Sequence, residues 1–129
     1  NSLAGADGDG QPEPVARYLE KYDAYLATIR AAHPSKPILC ITPILNRADL
    51  KSGGNINGER PELYREGMTR IVRERQKSDP NLHFLDGLSM INDPLFLLVS
   101  DNVHPNDAGT HRIAQGVAAA LQPLLAKLR

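Results

Sequence analysis

Apolar residues recur at helical spacing in three segments of the chain. In residues 13 to 32 they repeat every three or four positions while charged residues take the opposite face; the apolar set is Val15, Tyr18, Leu19, Tyr22, Leu26 and Ile29. Pro61 opens a second segment of this kind, residues 61 to 77. The third runs from 106 to 128, and Asn106 or Asp107 would cap it. The pattern predicts three amphipathic helices.

Two shorter apolar segments have the character of strands. Residues 38 to 45 form a continuous apolar run with β-branched side chains, which is typical of a strand buried on both faces. Pro43 lacks a backbone donor, so we expect the paired part to end near Thr42. Residues 82 to 86 form the second strand. Because strands alternate with helices, the order predicts an α/β fold with a parallel sheet.

The loops that follow the two predicted strands should lie at one edge of the sheet. Residues 46 to 60, rich in Gly and Asn, follow the first strand, and the region after the second strand leads to Asp101 and His104. In parallel α/β sheets, ligands bind beyond the carboxyl ends of the strands. Such sheets commonly have roughly five or six strands, and two strands leave an open edge. We therefore expect an N-terminal segment or a second chain to complete the sheet.

Composition and charge narrow the range of partners. The chain has 129 residues, enough for one domain, and its 15 basic and 15 acidic residues balance without any basic run. This gives no electrostatic case for nucleic acid or an anionic membrane, and a small-molecule partner fits better. No apolar run approaches the length of a membrane span. The single Cys40 has apolar neighbours on both sides, which predicts a buried, unreactive thiol.

The clearest chemical signal is a carboxylate three residues before an imidazole, Asp101 and His104, just ahead of the third helix. A neutral imidazole can take a proton from a hydroxyl nucleophile, and a carboxylate can fix its tautomer and stabilise the imidazolium. No serine of this sequence lies in a Gly-x-Ser-x-Gly or Gly-Asp-Ser context. The sequence therefore carries two members of a charge-relay site and no recognisable nucleophile.

Two other interpretations stay open on the residues alone. In the first, the Asp-x-x-His is structural, with Asp101 accepting backbone amides, and the chain is a non-catalytic α/β binding or interaction module. In the second, Asp107 and His111 join the pair as ligands of a metal-dependent hydrolase. His104 and His111 are seven residues apart across a helix start, which is not the spacing of a zinc-binding helix.

The block Asp101-x-x-His104-Pro105-x-x-x-Gly109, followed by an Ala-rich helix, resembles the last conserved block of the SGNH, or GDSL-type, esterase and lipase superfamily. Residues 41 to 44 and 82 to 87 are similar to the strands that precede that block in bacterial members. The resemblance covers most of residues 12 to 128. It implies a three-layer α/β/α sandwich with a parallel, flavodoxin-like sheet, of which this chain holds the C-terminal strands and helices.

The same resemblance implies a function and a set of roles. The chain is expected to be a carboxylic ester hydrolase that acts on a small-molecule ester and needs no cofactor and no metal. His104 would be the base and Asp101 its orienting acid, and Asn1 falls at the position of the oxyanion-hole asparagine. The serine and glycine blocks are absent, so residues 1 to 129 are expected to be the C-terminal portion of a single hydrolase domain, inactive alone. The source is expected to be a bacterial protein, soluble in the cytoplasm or secreted.

Overall fold

The computed structural model describes residues 13–55 and 57–126. In chain order, the elements are α1 (Val15–Ala32), β1 (Ile38–Ile41), α2 (Pro61–Gln76), β2 (Leu82–Leu85), a short 3-10 turn (Gly87–Ser89), α3 (Pro94–Leu97) and α4 (Asp107–Ala126). The three long helices and both strands lie where the hydrophobic pattern predicts them.

The two strands pair in parallel, as predicted. Ile38 is opposite Leu82 at one end and Ile41 is opposite Leu85 at the other. One further bond joins the strands at their carboxyl ends, from the amide of Thr42 to the carbonyl of Leu85, at 3.1 Å. The next residue is Pro43, which has no N–H to donate. The pairing therefore ends at Thr42, where the sequence predicts it.

The helices cover the two faces of the sheet separately. One core cluster joins Ile38, Cys40, Leu82 and Phe84 of the strands to α1 and α2, through Tyr22, Leu26, Ile71 and Val72. The second cluster joins Leu85 to α3, α4 and the loops beside them, through Ile44, Leu45, Met90, Ile91, Leu97, Leu98, Ala108, Ile113 and Val117. The sheet thus lies between α1 and α2 on one side and α4 on the other, which gives the three layers expected of the fold.

Burial along β1 is less complete than the sequence predicts. The apolar run was expected to be covered on both faces, but within β1 only Cys40 is buried and Ile41 is 36% exposed. The helix α4 covers the second face at Leu85 of β2, and this cover does not extend over Ile41. In the part of the chain that the structure describes, β1 also has no neighbour on its second edge.

The connection from β2 to α4 contains a helix that the hydrophobic pattern does not predict. The carboxylate of Asp93 caps α3 by accepting the amides of Leu95 and Phe96, and Pro94 occupies the first helical position. At the start of α4, the side chain of Asn106 accepts the amide of Gly109 at 2.9 Å, so Asn106 is the predicted cap. Among the described helices, none is both long and apolar enough to cross a membrane.

Candidate active site

The carboxyl edge of the sheet is held by a buried threonine at the end of β1. The hydroxyl of Thr42 donates to the Asp86 carboxylate at 3.0 Å and accepts the amide of Gly87 at 2.9 Å. Thr42 is only 3% exposed, so water does not compete for these bonds. Farther along, the amide of Leu45 donates to the carbonyl of Ile91 at 3.3 Å. The chain segments leaving the two strands are therefore joined side by side.

Asp101 and His104 lie in a closed loop, residues 98 to 105, which we call the dyad loop. Leu98 and Pro105 form an isolated antiparallel bridge at its base, and the amide of Val99 donates to the carbonyl of His104 at 2.9 Å. The loop turns at Asn102, which has a φ of 56°. Asparagine is one of the few non-glycine residues that adopt this left-handed conformation readily.

The two side chains are in direct contact. His104 Nδ1 lies 2.7 Å from Oδ2 of Asp101, while Oδ1 of the same carboxylate accepts the amides of Val103 at 2.8 Å and His104 at 3.0 Å. The hydrogen bond from the His104 side chain, helped by these amides, lowers the pKa of Asp101 to about 2. Asp101 therefore stays ionised at neutral pH. The side chains of His104 and Asp101 are 63% and 43% exposed.

This geometry assigns the two ring nitrogens of His104 different properties. A carboxylate only accepts hydrogen bonds, so in the neutral ring Nδ1 carries the proton and donates it to Asp101. The basic lone pair then lies on Nε2. An imidazole held in this tautomer, beside an ionised carboxylate, can accept a proton at Nε2 and has its positive charge stabilised at Nδ1.

The residues predicted for the site have different outcomes. Asp101 and His104 are in contact, and their catalytic roles stay a prediction. Asn1 lies outside the described residues. The loop of residues 46 to 60 starts at the same edge of the sheet and then folds back onto α2. Its polar contacts there include an ion pair between Asp49 and Arg65 with both side chains largely buried. The contribution of this loop to a substrate pocket stays a prediction.

The metal-dependent interpretation required Asp107 and His111 beside the pair. Over residues 13–55 and 57–126, no group of three or more His, Cys, Asp or Glu side chains lies close enough to hold a metal ion. The observed polar arrangement at the dyad loop is instead a single carboxylate shared between an imidazole and two backbone amides.

The sequence does not single out the cleft that lies beside α3. This cleft has a volume of about 420 Å³ and lies between α3 and the first turns of α4, with Asp93, Phe96, His111 and Arg112 among its lining residues. The cleft could not be predicted from the sequence, because α3 forms one side of it and the hydrophobic pattern does not predict α3. The Asp93-Pro94 pair, a helix cap followed by a favoured first residue, is the local signal that indicates α3.

Comparisons with known proteins find similar structures but no matching sequence. No known protein family matches the sequence, and no curated protein does. Among solved structures, the salicylyl-acyltransferase SsfX3 from a tetracycline biosynthetic pathway superposes with a TM-score of 0.72 at 20% identity, over 87% of this chain and 33% of that chain. A Bacteroides ovatus protein classed as a GDSL-like lipase gives 0.71 at 22% identity, over 89% of this chain and 34% of that one.

This chain therefore spans about a third of the length of each of these two structures. The superposition confirms the fold that the Asp-x-x-His-Pro resemblance implies, with its parallel strands between layers of helices. At these identities the likeness concerns the fold and not the reaction. The chain has the α/β fold of the GDSL-like lipase and acyltransferase structures.

Proposed function

We propose that this chain carries the acid–base pair of a serine-dependent carboxylic ester hydrolase. The observation that carries the proposal is the 2.7 Å contact between His104 Nδ1 and Asp101 Oδ2, in a chain with the fold of GDSL-like enzymes. The purely structural interpretation accounts for Oδ1 of Asp101, which accepts two backbone amides. It does not require the second oxygen to hold the imidazole ring of His104.

In the proposed reaction, Nε2 of His104 takes the proton of a serine hydroxyl as the serine oxygen bonds to the ester carbonyl carbon. The ester C–O bond then breaks, and His104 returns the proton to the leaving alcohol. Water repeats the sequence on the acyl-enzyme and releases the carboxylic acid. Asp101 stays ionised throughout, keeping Nδ1 protonated and stabilising the imidazolium, and no cofactor takes part.

No serine of this sequence lies in a recognisable nucleophile motif, so the proposed nucleophile lies outside residues 1–129. We propose that residues 1–129 are the C-terminal portion of one hydrolase domain, and that an N-terminal segment or a second chain supplies the serine and completes the sheet beside β1. The exposed Ile41 and the second edge of β1, which has no neighbour among the described residues, support this arrangement. We call the resulting assembly the complete protein.

Acyl transfer to an alcohol is a second candidate within the same chemistry. The salicylyl-acyltransferase among the similar structures favours it, since an acceptor alcohol in place of water would turn hydrolysis into transfer. The same deprotonation by His104 would activate either acceptor. Product analysis with and without added alcohols distinguishes the two reactions, because transfer forms a new ester and hydrolysis forms only the free acid.

The proposal is tested with p-nitrophenyl acetate. The complete protein is expected to release p-nitrophenol and to lose this activity after treatment with a serine-directed organophosphonate. Residues 1–129 alone are expected to be no faster than free imidazole, because they lack the nucleophile. Turnover by residues 1–129 alone would contradict the external serine. Activity of the complete protein that survives the organophosphonate would contradict the serine mechanism.

A further inference from the structure

Asn106 is the residue that joins the dyad loop to its surroundings. Its side-chain amide nitrogen, Nδ2, donates to the carbonyl oxygen of Phe96 at 2.8 Å and to that of Leu98 at 3.3 Å. Its side-chain oxygen accepts the amide of Gly109 at 2.9 Å, and its own amide donates to the carbonyl of Leu97 at 3.1 Å. One side chain thus connects α3, the base of the dyad loop and the first turn of α4.

The close packing of α4 against Leu97 makes these bonds possible. A Cβ atom built on Gly109 would lie 2.1 Å from the carbonyl oxygen of Leu97 and 3.1 Å from Cβ of Pro105. The first distance is too short for any real Cβ atom, and the second is tighter than an ordinary van der Waals contact. The glycine therefore lets the first turn of α4 lie directly on α3, within reach of the Asn106 side chain.

We propose that Asn106 is a positioning residue, whose two amide donors hold the dyad loop against α3 so that His104 faces the reacting serine at a fixed place. This inference rests on the proposed function. The contact of His104 with Asp101 is local, between residues three apart, and keeps the pair together wherever the loop lies. Asn106 instead fixes where the loop lies on the edge of the sheet.

The oxygen and the nitrogen of the Asn106 side chain have separate tasks, so they can be tested separately. Asp and Ser are both as good as Asn as helix caps, and a negative charge at a helix N-terminus is stabilising. Asn106→Asp therefore keeps the cap of α4, but it replaces the amide donors with a carboxylate oxygen that faces two carbonyl oxygens. Asn106→Ser keeps the cap and replaces the two amide donors with a single hydroxyl proton on a shorter side chain, without adding a charge.

The experiment measures kcat and KM of the complete protein on p-nitrophenyl acetate. We expect Asn106→Asp and Asn106→Ser to lower kcat on the order of 10-fold or more, because misplacing a catalytic group by about 1 Å can cost ~10²-fold. KM should be nearly unchanged. The aspartate should lower kcat more than the serine, because its carboxylate faces two carbonyl oxygens. The matched control is Gln76→Glu. The side-chain amide of Gln76 donates to the carbonyl of Leu82 at 2.9 Å, at the opposite end of the sheet, and this variant removes that donor in the same way. It is expected to leave kcat unchanged.

Amide hydrogen exchange tests the same inference without any turnover. The amide of Val99, which closes the dyad loop on His104, should exchange roughly 10-fold faster or more in Asn106→Asp, while the α4 amide of Ile113 stays protected. If the wild type has no esterase activity, the proposed function fails and the exchange rates still decide the role of Asn106. Unchanged exchange at Val99, or a kcat for Asn106→Asp equal to that of the wild type, would overturn the positioning role.

Discussion

At the scale of single residues, Asp101 has two tasks divided between its two oxygens. Oδ1 accepts the amides of Val103 and His104 and so shapes the turn, while Oδ2 holds Nδ1 of His104. The three-residue spacing predicts such a contact, because in a tight turn these side chains are neighbours. The division of tasks could not be predicted, since it depends on how the backbone turns at Asn102.

The lowered pKa of Asp101 gives a prediction for stability against pH. Its value in the folded protein, about 2, is below the ordinary value of 3.8, so its contribution to stability is fully present above about pH 4 and is lost as the pH falls towards 2. The melting temperature of the complete protein should exceed that of Asp101→Asn above about pH 4. The difference should shrink towards about pH 2, and a difference that stays constant over this range would contradict the assigned pKa.

At the scale of elements, the sequence predicts the long helices and the strands, and it predicts little of the connection between β2 and α4. Helices α1, α2 and α4 each present a repeated apolar face, and Pro43 indicates the end of pairing. The helix α3 spans only Pro94–Leu97, too short for hydrophobic periodicity to appear. The contacts of the Asn106 amide with Phe96 and Leu98 join residues ten and eight positions apart, and they depend on where α3 places those carbonyl groups.

Position 87, at the start of the turn after β2, should not tolerate a side chain. A Cβ atom on Gly87 would lie 2.1 Å from the carbonyl oxygen of Thr42 and 2.7 Å from the carbonyl carbon of Pro43. Because both are backbone atoms, Gly87→Ala is expected to lower the free energy of unfolding by about 1–3 kcal/mol, measured by urea denaturation. Gly53→Ala is the control, since no atom lies within 4 Å of its added Cβ. Equal stability of the two variants would contradict the close packing at the end of β1.

At the scale of the whole molecule, the described residues form one part of a three-layer fold. Leu98, at the base of the dyad loop, belongs to the same core cluster as Leu85 and Leu45 at the carboxyl edge of the sheet. The alternation of strands and helices predicts both the parallel pairing and the edge at which Asp101 lies, because the carboxyl ends of parallel strands share one edge. The incomplete cover of Ile41 could not be predicted from the apolar run, since burial depends on neighbours that the run does not specify. At this scale, the proposed function requires a further segment or chain that would bring a serine to His104.

The most direct test of the proposed function compares kcat and melting temperature for His104→Ala and His33→Ala in the complete protein. His33 follows α1 at the opposite end of the sheet, so it is the control for losing an exposed imidazole. We predict that His104→Ala lowers kcat by at least ~10²-fold, the lower end of what a positioned acid or base contributes. His33→Ala should leave kcat unchanged. An unchanged kcat in His104→Ala, accompanied by a lower melting temperature, would contradict the catalytic role and favour a structural Asp-x-x-His.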